Sequence, residues 1–143
     1  MDAALPGIVL DSSVLITAER RRFTPAQAID SVRRQTGDVP IVLCSLTVAE
    51  IGHGIYRAAT EEQRIRRRAF LDDLKATATI HAVTAATAEI IARIGGEQGA
   101  KGINLPLADL IIAATAVELG YAVATGNLRD FRRIPGLEVL RVR

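Results

Sequence analysis

Tryptophan is absent from the 143 residues, and only three Phe and two Tyr are present. A core made without many large rings must rely on Ala, Val, Ile and Leu, which suits helices packed on a sheet. The single cysteine, Cys44 in IVLCS, has no partner, which excludes a small scaffold stapled by disulfides. It reads as a small buried hydrophobe. No apolar stretch approaches the roughly 20 residues that a membrane-spanning helix needs. The N-terminal MDAALPGIVLD shows no basic leader before Asp11, so a cytoplasmic location is expected. Charge of one sign is also lacking: 18 basic residues face 16 acidic ones, a net of +2, which excludes a chain wrapped in a positive field. Internal repeats and low-complexity segments are missing too. What remains is a soluble globular composition, 49% hydrophobic and 24% charged, expected to form a single domain over 1–143. A chain of this size buries about 70% of its unfolded surface.

Short β-branched runs alternate with longer helical patterns. IVL at 8–10, IVLCSL at 41–46, TIHAV at 79–83, YAVAT at 121–125 and LEVLRV at 137–142 read as strands. Helices are expected from near Val14, from Pro25 to Gln35 with Gly37 closing, from Thr47 to about Ala59, and from Thr60 onward. Another starts at Thr84 and ends in the glycine-rich GGEQGAKG. The last opens at Asn104 and Pro106 and stops at Gly120. The alternation predicts an α/β fold, a three-layer α/β/α sandwich around a parallel sheet of about five strands. In such sheets ligands bind beyond the carboxyl ends of the strands.

The acidic residues fall where that rule places a site. Asp11 follows directly on IVL; its competing reading is a cap, with Ser12 or Ser13, for the helix near Val14. Glu50 lies early in the helix after the second strand, and Thr47-Val48-Ala49-Glu50 also matches a capping box. Asp109 is the only charged residue between Pro106 and Val117, in a helix apolar on every face and therefore expected to be buried. An unpaired carboxylate there costs several kcal/mol, so it must be protonated, paired, bonded at the helix N-terminus or bound to a cation. The stretch ATGNLRDF adds Thr125, Asn127 and Asp130 after a further strand, although Gly126-Asn127 is also ordinary turn chemistry. Several carboxylates converging on one sheet edge repel one another unless a divalent cation joins them. An all-oxygen set without His or Cys favours Mg²⁺, with Mn²⁺ as a substitute. Phosphodiester hydrolysis is the chemistry that best uses such a cluster.

In the motifs IVLDSSVLI, TVAEIGHGI, LPLADLIIAATA and VATGNLRDF, taken in that order, the chain resembles the PIN-domain nucleases, and among them the VapC-type ribonuclease toxins of type II toxin–antitoxin systems. The resemblance covers nearly the whole chain. It implies a Mg²⁺-dependent endoribonuclease that dimerises and is silenced by a cognate antitoxin. Carried over by residue, Asp11, Glu50 and Asp109 would be the core metal-binding acids, and Asp130 the fourth, with Ser13, Thr125 and Asn127 in support. Two departures matter. Ser12-Ser13 stands where many relatives have Thr-Asn, and Asn127 stands where some place an acid, which shifts the fourth role to Asp130.

The basic residues are unusual in kind: apart from Lys75 and Lys101 all are Arg, whose planar fork grips phosphate at two points. Arg20, Arg21, Arg22 and Arg129, Arg132, Arg133 are candidates for RNA contact, whereas Arg64, Arg66, Arg67 and Arg68 read as a solvated helix face. So few aromatics make a poor platform for a long single strand, and a structured RNA held through its backbone suits the inventory better. His53 and His81 are not needed as bases if a metal activates water. Two other functions compete. A phosphoryl-transfer protein with Asp11 as nucleophile should carry a second Asp at position 13, or an acidic pair and a late Lys, and has neither. A non-cleaving PIN-fold module that only holds RNA or a partner would have no need of an intact acid set.

Overall fold

Residues 5–143 are described by a computed structural model. The part of the leader and single-domain expectations that falls on residues 1–4 lies outside them. Five parallel strands form one sheet in the order β3-β2-β1-β4-β5: β1 (Ile8–Leu10), β2 (Ile41–Cys44), β3 (Thr79–His81), β4 (Ala122–Thr125) and β5 (Val139–Arg141). Central strands buried on both faces need apolar side chains at every position rather than alternation. β1, β2 and β4 satisfy this, with every residue buried.

The pleat divides these strands between two cores. Ile8, Leu10, Ile41, Leu43 and Ala124 face one side, where they meet α1 (Ser12–Arg20), α2 (Pro25–Thr36), α3 (Ser45–Tyr56) and α4 (Glu61–Thr77). Val9, Cys44 and Val123 face the other, against α5 (Ala85–Ala100) and α6 (Leu107–Leu119). The result is the expected three-layer α/β/α sandwich. Cys44 is buried and free, as its sequence setting implies. Thr24 and Thr84 each close a capping box, Thr60 accepts from the Gln63 amide, and Gly37 and Gly120 end their helices at positive φ.

Several boundaries differ from expectation, among them the ends of β2 and β3. The second strand stops at Cys44, where its pairing with β3 ends, so Ser45 and Leu46 begin α3 rather than extending the sheet. Ser45 instead accepts the Val83 amide through its hydroxyl at 3.2 Å, and the β3 run ends at His81. On the opposite face of the sheet, α5 ends as expected within the glycine-rich stretch, running through Gly95, Gly96 and Gly99 to Ala100. A Cβ on Gly95 would lie 3.3 Å from Leu110, so close approach of α5 to α6 exploits the missing side chain. Finally, α6 is not buried all round. Leu107 in its first turn is 65% exposed, and complete burial sets in only from Ile112 to Ala116. The helix therefore emerges from the core at the end that carries Asp109.

Candidate active site

The strand order reverses between β1 and β4, since β2 and β3 lie to one side and β5 to the other. At such a switch point the connections diverge and leave a crevice at the carboxyl edge. Leu10 pairs with Ala124, so the next residue of each strand, Asp11 and Thr125, meets across that crevice. The Thr125 hydroxyl donates to Asp11 Oδ2 at 2.8 Å, and Ser13 donates to the same oxygen at 2.8 Å.

Asp11 occupies the N-cap position of α1, yet its side chain makes no capping bond. Its carboxylate is held by two hydroxyls instead, in a residue only 7% exposed. Glu50 likewise does not close a capping box, because α3 starts two residues before Thr47 and places Thr47 inside the helix. That shift carries Glu50 into the second turn. Its Oε1 is buried without a hydrogen-bond partner among the described residues. Burial raises the Glu50 pKa above the ordinary carboxylate value, the nearby Asp11 charge adds to this, and the Ser12 hydroxyl opposes it.

Asp109 lies in the first turn of α6. Pro106 precedes that helix without a capping side chain. A helix N-terminus favours negative charge, but here the opposing effects win. The Asp109 pKa is pushed up to about 6, first by burial and then by the charges of Asp11 and Asp130, a hydrogen bond shared with Asp130, and the charge of Glu50. All four acids are thus electrostatic neighbours, although their ranges in sequence span the chain. Asp130 itself is half-buried, with Arg133 3.7 Å away. Among the described residues, no group of three acids is already drawn around one point as a finished metal cage. The fit lies in the unsatisfied oxygen of Glu50 and in mutual repulsion, both of which a hard divalent cation would relieve.

The supporting residues separate into two kinds. Ser13 and Thr125 grip Asp11 directly, while Asn127 is exposed and uses its side-chain oxygen to accept the Arg129 amide at 3.3 Å. Its backbone amide in turn donates to Thr125 Oγ1 at 3.0 Å, so Asn127 shapes the turn that presents Thr125. Ser12 is a site neighbour that motif reading passed over in favour of Ser13; its only trace in the sequence is the doubled hydroxyl after Asp11. Arg129 and Arg132 are exposed beside the cluster, and Arg20 and Glu50 share the wall of a cavity of about 150 Å³. Arg21 and Arg22 lie at the α1–α2 junction, exposed.

Arg64, Arg66 and Arg68 are paired with Glu61, Glu19 and Asp72, and Arg67 donates to the Gly54 carbonyl at 2.7 Å. That helix face is engaged structurally. His81 is 2.7 Å from Glu118, which also accepts the Thr87 hydroxyl, and His53 is exposed on α3.

A family model for the PIN domain matches residues 8–137. Ribonuclease VapC1 of Rickettsia felis is 35% identical over 136 residues, which is 95% of this chain and 96% of that one. Ribonuclease VapC of Rickettsia bellii is 33% identical over the same shares. Among solved structures, VapBC2 from Rickettsia felis, bound to a promoter DNA fragment, superposes with a TM-score of 0.80 at 21% identity, covering 96% of this chain and 99% of that one. VapBC-5 from Mycobacterium tuberculosis gives 0.72 at 27% identity over 96% and 99% of the two chains. The match to the domain model and to full-length relatives, on a chain whose acids meet at the switch point, places this protein in the PIN-domain nuclease family, in its VapC-type ribonuclease group.

Proposed function

We propose that this chain hydrolyses RNA phosphodiesters as a divalent-metal-dependent endoribonuclease, with Mg²⁺ the expected ion and Mn²⁺ a substitute, and that it serves as the toxin of a toxin–antitoxin pair. The observation that carries this reading is the Asp109 carboxyl, displaced to about 6 first by burial and then by its neighbours Asp11, Asp130 and Glu50. Four acids so close repel one another, an arrangement that cation binding relieves. Asp11, Glu50, Asp109 and Asp130 would hold the ion. When bound, such an ion activates the attacking water and neutralises charge on the phosphate.

The remaining chemistry belongs to the chain's own side chains. Ser13 and Thr125 fix the Asp11 carboxylate by bonding one oxygen, Oδ2, which leaves Oδ1 as the oxygen that would bind an ion. The Ser12 hydroxyl beside Glu50 favours its ionised form. Arg129, Arg132 and Arg133 flank the cleft as phosphate contacts, and Arg133 additionally balances Asp130. Arg20, Arg21 and Arg22 extend that positive margin on the α1 side.

The cognate antitoxin is the proposed protein partner, supported by the VapBC complexes that share the fold. A homodimer, alone or assembled with antitoxin, is the proposed state. No described helix is long and apolar enough to cross a membrane. The test is cleavage by purified, antitoxin-free protein: RNA should be cut with Mg²⁺, spared with EDTA, and spared by Asp109→Asn even with metal present. A variant that folds and cuts at the wild-type rate would overturn the metal-site reading. Stable RNA binding without cutting under any divalent ion would favour the non-cleaving module instead.

A further inference from the structure

Beside the acid cluster, a cavity of about 470 Å³ opens between α1, α2 and the end of β5. Its size falls in the range that holds a small molecule or one nucleotide rather than a protein domain. Ser13 and Asn127 are in its wall, and these are the residues that bond Asp11 and Thr125. The cavity therefore borders the proposed site of cleavage through the residues that hold Asp11 and Thr125. No Asp or Glu lines it, while Arg21, Arg141 and Arg143 do. Neither Arg21 nor Arg141 has a carboxylate partner among the described residues.

One wall is Phe23, left 43% exposed although it is one of only three Phe in the chain. An aromatic ring is not left open there by a floppy loop. The α1 helix ends with the Phe23 amide bonded to the Ala18 carbonyl at 2.9 Å and the Arg22 amide bonded to the Glu19 carbonyl at 2.9 Å. This is the double closure of a Schellman motif, with Arg22 at φ 63, a position usually given to glycine. A strained backbone thus presents the ring.

We propose that this groove seats a single unpaired nucleotide of the RNA substrate next to the scissile phosphate, its base stacked on Phe23 and its phosphate held by Arg21 and Arg141. The inference rests on the ribonuclease reading and narrows its substrate class to RNA that offers an unstacked nucleotide, in a loop, bulge or end, at the cut. One ring and a few Arg forks select one flipped base within a structured RNA, which a long stacking platform would not.

Because the chain has no tryptophan, Phe23→Trp places a lone fluorophore in the groove. Built on Asp109→Asn to prevent cutting, that protein is titrated with an RNA hairpin that the wild type cuts and with a fully paired duplex of the same composition. Emission should be quenched by the hairpin and not by the duplex, and Arg141→Gln should weaken the hairpin titration about tenfold, the scale of losing one phosphate or stacking contact. In the cutting protein, Phe23→Ala should lower kcat/KM by roughly tenfold. Unchanged emission with a hairpin that wild type cuts would overturn the subsite while leaving the nuclease reading intact. Emission that responds to the antitoxin but not to RNA would overturn it in favour of a protein segment. Failure of the wild type to cut any RNA would sink the nuclease reading, and a subsite beside the scissile phosphate falls with it.

Discussion

A single carboxyl group shows how far one residue can be read from sequence. Asp109 is conspicuous as the only charge between Pro106 and Val117, and that oddity is what makes the site legible. Its folded pKa of about 6 lies above the value of 3.8 expected for the unfolded chain, so between these values the folded protein holds the extra proton. Stability of the metal-free protein from this group is full below about 3.8 and falls as pH rises through about 6. Asp109→Asn should remove that slope and stabilise the metal-free protein at neutral pH by roughly 1 kcal/mol, discounted because solvent screens a half-buried group. Urea titrations of both proteins across that pH range check it, and parallel curves would contradict the account. Thr125 is a second case. It is fully buried and its hydroxyl bonds Asp11, so Thr125→Val should cost roughly 1–3 kcal/mol and lower cleavage, with Thr125→Ser restoring both. Asn127 shows the limit of such reading: an amide that caps a turn and an amide that would support a metal are the same letter, and the 3.3 Å bond from the Arg129 amide displays the first role.

For whole elements, sequence marks where strands begin better than where they end. Apolar runs announce β1, β2 and β4, but Ser45-Leu46 and Ala82-Val83 continue the pattern after the pairing has stopped. Both strand ends meet in a non-local contact, the Val83 amide bonded to the Ser45 hydroxyl across 38 residues. That shortening also moves α3 forward and dissolves the Thr47–Glu50 capping box, freeing Glu50 for the cluster. Helix α5 does end within its glycine-rich run, and there Gly95 also serves packing, since a Cβ on it would crowd Leu110. The α1–α2 junction carries the clearest mismatch between residue and conformation, an arginine in the left-handed region. Arg22→Gly should therefore raise stability by about 1 kcal/mol, read as a higher denaturation midpoint. A fall in the midpoint would mean that the Arg22 side chain contributes more than its backbone costs.

At the level of the whole molecule, four acids gathered from 120 residues of sequence form one electrostatic unit, while most of the exposed Arg on α4 is paired away from it. Ion binding should consequently register as global stability. At about 100 times its Kd, Mg²⁺ should add about 2.7 kcal/mol to the wild type, raising Tm by several degrees, and much less to Asp109→Asn. Calorimetry with and without the ion decides this, and equal shifts in both proteins would place the ion elsewhere. The bond between Asp11 and Thr125 spans 114 positions, and β1 acquires β4 as its neighbour only after most of the chain exists. During synthesis, then, the growing polypeptide carries its first acid long before the partner that aims it. A site of this architecture should therefore stay unformed on the growing polypeptide until β4 has been made and has paired with β1.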